Sequence, residues 1–159
     1  MRVTLRAMRF AAVLMTFALC GCTFGAPPAT VSTGTSSASV TAIDVNLTAS
    51  TPQSTAAGTS GGYAPAVVSV RVGALLQFVN RDGFAHTASS FGGATYPTSS
   101  PLAATALNAA GSRLSTGFST GTLAAGGSSQ TILADVGGTY LYGCFFHYGA
   151  PMRAEIDVR

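Results

Sequence analysis

The sequence predicts an all-β fold, an antiparallel β-sandwich, and three observations predict it. Short runs of β-branched and aromatic residues recur between clusters of Gly, Pro, Ser and Asn, which is strand-and-turn punctuation. No stretch outside the first twenty residues sustains a long helical period, apart from one short candidate at Ala103 to Ala110. With 47% apolar and only 8% charged residues in 159, the chain can fill one ordinary core and is unlike a charged disordered tail.

The N-terminal residues read as an export leader rather than as part of that fold. Residues 1–21 carry Arg2, Arg6 and Arg9, then an apolar run from Phe10 to Leu19 too short to span a bilayer, then small residues. Leu19-Cys20-Gly21-Cys22 resembles a bacterial lipobox, in which the last cysteine becomes the lipid-bearing first residue of the mature chain. That resemblance implies lipidation at Cys22 and anchoring to the bacterial cell membrane or the periplasmic face of the envelope. The competing reading is an ordinary secretory signal cut near the same point. Residues 22–39 are small, polar and Pro-containing, with too little apolar surface to offset the entropy of ordering, and are expected to form a flexible tether.

The folded domain is expected to occupy residues 40–159. Val40 to Leu47 alternates Ile43, Val45 and Leu47 with Asp44 and Asn46, as a strand does, while Thr51 to Gly62 reads as turn and loop. Ala66 to Val72 and Leu75 to Asn80 read as a strand pair turning at Gly73. Ser89 to Ser115 is rich in Gly, Ala, Ser and Thr and is expected to be mostly loop. Ser128 to Leu133, Thr139 to Cys144 and Arg153 to Val158 have strand composition, with a loop from Phe145 to Met152.

Charge removes one class of function. From Cys22 onward five arginines (71, 81, 113, 153, 159) balance five acids (44, 82, 135, 155, 157), and the chain has no lysine. No basic footprint for a phosphate backbone remains, so no nucleic-acid partner is expected.

Cysteine arithmetic leads to the chemistry. With Cys20 lost in the leader and Cys22 lipid-linked, Cys144 is the one free thiol, without a disulfide partner in an oxidising compartment where an idle thiol is a liability. It lies in Cys144-Phe145-Phe146-His147-Tyr148-Gly149-Ala150-Pro151-Met152, a C-x2-H-x4-M spacing. Thiolate, imidazole and thioether on one loop are soft and borderline donors that suit copper, and His86, the other histidine, could add a second imidazole. A thioether is a poor zinc ligand.

This spacing resembles the ligand loop of the cupredoxins, the small blue-copper proteins, and most closely the plastocyanin and halocyanin type. The likeness extends from Tyr63-x-Pro65 and Val70-x-Val72-Gly73, through Phe78-x-Asn80-x-Asp82-x3-His86-Thr87 and Phe118-Ser119-Thr120-Gly121-x-Leu123-x2-Gly126, to Gly138-Thr139-Tyr140-x-Tyr142-x-Cys144. It implies a Greek-key sandwich and one type 1 copper ion, with His86, Cys144 and His147 as equatorial ligands and Met152 as the axial one. Asn80 and Thr87 are candidates for tying the two ligand-bearing loops together. Departures are Phe146, where Pro is frequent, and Pro151 and Ala154, where Gly is common. Among the loop aromatics Phe145, Phe146 and Tyr148, some are expected to surround an exposed edge of His147.

The implied function is a membrane-tethered single-electron carrier that meets redox partner proteins near His147. The alternative is a module that carries, buffers or senses copper without redox turnover. An enzyme is not expected: four ligands leave no open position for substrate, both histidines are already used, and no Cys-x2-Cys-His haem site exists.

Overall fold

The computed structural model describes residues 39–159; the expected leader, the lipidation position Cys22 and nearly all of the expected tether lie outside the described residues. Twelve short strands carry the fold: β1 (Val40–Val45), β2 (Gln53–Thr55), β3 (Gly58–Ser60), β4 (Tyr63–Ala64), β5 (Val67–Val70), β6 (Leu75–Asn80), β7 (Ser89–Phe91), β8 (Ala109–Ala110), β9 (Ser119–Thr120), β10 (Ile132–Leu133), β11 (Gly138–Gly143) and β12 (Arg153–Val158). One sheet has the order β10-β6-β1-β4 and the other β5-β12-β11-β7-β9-β8, while β2 and β3 form a separate hairpin. The expected all-β sandwich is what the chain forms. Two pairings, β1 with β6 and β5 with β12, are parallel, and the remaining ladders are antiparallel.

The core sits where the inward faces of the two sheets meet. In β6 the alternation buries Leu76, Phe78 and Asn80 and leaves Leu75, Gln77 and Val79 half-buried, as period-2 patterning requires. Phe78 is the hub: its ring stacks on Phe118 at 5.5 Å and meets Tyr142 edge-on at 5.2 Å, and Tyr63 lies 4.8 Å from Tyr142. Each such buried side chain contributes about 1.5–3 kcal/mol.

Four expectations change. Ala66 to Val72 and Leu75 to Asn80 are not a pair: β5 lies in one sheet and β6 in the other. Gly73, at φ +93° and with its N–H bonded to Ala134 O, turns the chain across the sandwich instead of folding it into a hairpin. Thr51 to Gly62 is not mere loop, because β2 and β3 pair there, and a reciprocal bond pair between Gly61 and Arg153 fixes the hairpin against the start of β12. The segment Ser89 to Ser115 contains β7, β8 and, as the short helix expected there, a 3₁₀ turn at Ala104–Leu107. The strand expected at Ser128 to Leu133 shrinks to β10, with Ser128 making only a bridge to Val79.

Candidate metal centre

Strand ends from both sheets deliver the site. β6 ends at Asn80, and the following loop reaches His86, whose backbone exchanges both hydrogen bonds with Leu123 (3.1 and 2.8 Å). In the opposite sheet β11 stops at Gly143, so Cys144 is the first residue past the strand, and Met152 immediately precedes β12. The Cys144 N–H donates to Met152 O at 3.0 Å, and the Met152 and Ala150 N–H groups donate to His147 O. These bonds close the intervening loop into a tight cup.

Within that cup Cys144 Sγ lies 3.8 Å from His86 Nδ1 and 3.6 Å from His147 Nδ1, and donor atoms of all three residues lie within 4.8 Å of one another. His86, Cys144 and Met152 are fully buried and His147 is half-buried. Met152 packs on Gly62, where an added Cβ would fall 2.3 Å from Met152 Cγ; Gly62 also has φ +75°, so only glycine fits comfortably. Two imidazoles and a thiol converging at this separation, with a thioether on the same loop, fit the donor preferences of copper.

Thr87 ties the two ligand-bearing segments together. Its N–H donates to Cys144 Sγ at 3.4 Å, and its hydroxyl oxygen accepts the Phe145 N–H at 2.8 Å. The Tyr63 hydroxyl, whose pKa burial raises well above its ordinary value, donates to Thr87 O at 2.6 Å. Asn80 does otherwise than expected. Its amide donates to Phe84 O, Leu123 O and Ala124 O, and its Oδ1 accepts the Asp82 N–H. It braces the His86 loop against the Leu123 segment and makes no hydrogen bond to the Cys144 loop, its amide N–H groups and Oδ1 being taken up by these partners.

Two residues that sequence reasoning gave no role belong to the site. Asp82 Oδ2 lies 2.8 Å from His86 Nε2 and accepts the Leu47 N–H at 2.7 Å, while Oδ1 accepts the Thr48 hydroxyl. Burial alone would raise the Asp82 pKa, but hydrogen bonds from Thr48, His86 and Leu47 outweigh it and hold the carboxyl below its ordinary value. Burial lowers the His86 pKa, against the opposing pull of Asp82. The signal for Asp82 was the N-x-D-x3-H spacing itself. Phe84, 41% exposed, stands 4.7 Å from the His86 ring and 5.5 Å from His147, and had no sequence signal beyond being an aromatic in a turn.

Of the loop aromatics, Tyr148 is buried, Phe145 half-buried and Phe146 exposed at 45%. Phe84, Ala85, Phe146 and His147 line a shallow hollow of about 250 Å³, so one of the converging donor residues, His147, borders this surface.

Residues 52–159 match the family model described as copper binding proteins of the plastocyanin/azurin family. Among solved structures the chain is similar to a purple cupredoxin from Nitrosopumilus maritimus, at 20% identity over 75% of this chain and 99% of that one, with a TM-score of 0.47. It is also similar to an oxidised amicyanin variant, at 15% identity over 76% of this chain and 82% of that one, with a TM-score of 0.46. No curated protein sequence matches it. The family match covers well over half of the chain and includes both donor-bearing segments, so this protein belongs to the plastocyanin/azurin family of copper-binding proteins, and its cofactor is one copper ion.

Proposed function

We propose that the protein is a type 1 blue-copper electron carrier in which His86, Cys144, His147 and Met152 would hold the ion, exported and tethered to the membrane through lipid on Cys22. The observation that carries this reading is the convergence of one thiol and two imidazoles, on segments that follow strands of opposite sheets, inside a largely buried cup. Copper, when bound, supplies a one-electron couple.

The chain's own residues do the rest. Burial of His86, Cys144 and Met152 excludes water, which would otherwise reorganise with each change of charge. The Thr87 N–H points at the sulfur and its hydroxyl anchors the next residue, so neither ligand-bearing segment relaxes independently. His147, the half-buried histidine, reaches the surface among Phe84, Ala85 and Phe146, which favours docking of an apolar face on a redox partner there. The protein performs no catalysis of its own in this reading, because its four donors saturate the metal and leave no site for substrate.

Mixing the cuprous and cupric forms of the full chain and following NMR line broadening tests the carrier role. Rapid electron exchange between copies is the expected result. Slow exchange together with transfer of the metal to an apo acceptor would instead identify a copper-delivery module. The tether has its own check: Cys22→Ser should move the exported protein from the membrane fraction to the soluble one, and unchanged partitioning would refute lipid anchoring.

A further inference from the structure

Asp82 is a buried anion without a visible counter-charge. Its side chain is 1% exposed, and its hydrogen-bond donors are a backbone N–H (Leu47), a hydroxyl (Thr48) and the His86 ring. The adjacent arginine, Arg81, turns outward to Asp44 at 2.9 Å, and the chain has no lysine. Among the described residues, His86 is the only group able to carry positive charge that pairs with Asp82. Burying a carboxylate in such a place costs several kcal/mol unless a cation sits close by.

The geometry also decides a proton. An ionised carboxylate can only accept hydrogen bonds, so the 2.8 Å contact requires the hydrogen on Nε2. In the neutral ring, Nδ1, which faces the Cys144 sulfur at 3.8 Å, then keeps its lone pair. The carboxylate is itself immobile, because both oxygens are held by residues just past the end of β1, and its own N–H is bonded to Asn80 Oδ1.

We infer that Asp82 is a positioning residue for the metal: it locks His86 in the Nε2–H tautomer, and its charge biases the site toward the cupric ion. The second half rests on the copper reading above and follows from a charge count. A cupric ion with the Cys144 thiolate and the Asp82 carboxylate sums to zero, whereas a cuprous ion leaves one uncompensated negative charge. In a buried site that difference favours the higher oxidation state. A donated Nε2–H also strengthens Nδ1 as a ligand.

Two measurements on the full chain test the inference, and they fail separately from the copper reading. Nitrogen-15 NMR of the metal-free protein, labelled at histidine, should show His86 as a single Nε2–H tautomer. An Nδ1–H tautomer, or rapid averaging of the two, would overturn the assignment whatever metal the site takes. In Asp82→Asn, cupric affinity should fall about 10–100-fold relative to cuprous affinity. That raises the potential by about 60–120 mV, at about 59 mV per tenfold for one electron. A potential unchanged in a variant that keeps its chromophore would overturn the charge bias. Should Asp82→Asn fail to fold, the tautomer measured in the native chain still decides the positioning role. A native chain that shows the Nε2–H tautomer yet takes up copper without a type 1 spectrum would sink the copper reading and leave the tautomer lock standing.

Discussion

At the scale of single residues, the donors were legible because their chemistry is rare in this chain. Two histidines, and one cysteine among the described residues, leave few ways to assemble a soft metal site, and the C-x2-H-x4-M spacing places three donors on one loop. The residues that hold those donors were less legible. Asp82 is fixed from Leu47 and Thr48, 35 and 34 positions away, and a contact of that separation leaves no trace in local composition. Gly62 is a similar case: in the sequence it is one more glycine in a turn-rich stretch, but in the fold it is the floor beneath Met152. Gly62→Ala should therefore destabilise the metal-free protein by about 1–3 kcal/mol through overpacking, measured by denaturant unfolding. It should also displace the thioether and change the paramagnetic-resonance spectrum of the copper form. A variant with native stability and spectrum would show that Met152 is not seated on Gly62.

At the scale of elements, legibility followed side-chain alternation. β6 and β12 were anticipated with their bounds as found, because both alternate apolar residues with others, or carry a buried apolar set, over six positions. β4, β8 and β9 are two residues long and made of Tyr, Ala, Ser and Thr, so only pairing with neighbours makes them strands. The segment beside β10 illustrates how such pairing is held. Leu114 N–H donates to Leu133 O, and past the end of β10 the Asp135 carboxylate accepts both the N–H and the hydroxyl of Ser115, with Arg113 at 3.7 Å. Those Ser115 bonds hold the Asp135 pKa below its ordinary value of 3.8. A lowered carboxyl pKa stabilises the fold above the unfolded value and loses that contribution as pH falls through the folded one. Native protein should thus melt higher than Asp135→Asn at neutral pH, with the gap closing below about pH 3.8 as the carboxyl protonates. A gap that persisted unchanged to pH 2 would place the effect elsewhere.

At the scale of the whole molecule, the sandwich converts two distant pieces of sequence into one site. His86 follows a strand of one sheet and Cys144 follows a strand of the other, so the packing of the two sheets brings their donor atoms together. Sequence reasoning reached the sandwich from many short strands without a helical period. It did not reach the crossing at Gly73, since a turn glycine serves a hairpin and a crossover equally well. In the proposed reading the rigidity of this frame lets a single donor set serve two oxidation states, with Cys144 as its indispensable member. The most direct test compares the optical spectra of native protein and Cys144→Ser, each loaded with cupric ion. An intense visible band in the native protein that vanishes in the variant is the predicted result. A colourless native protein, or a band that survives loss of the sulfur, would contradict it.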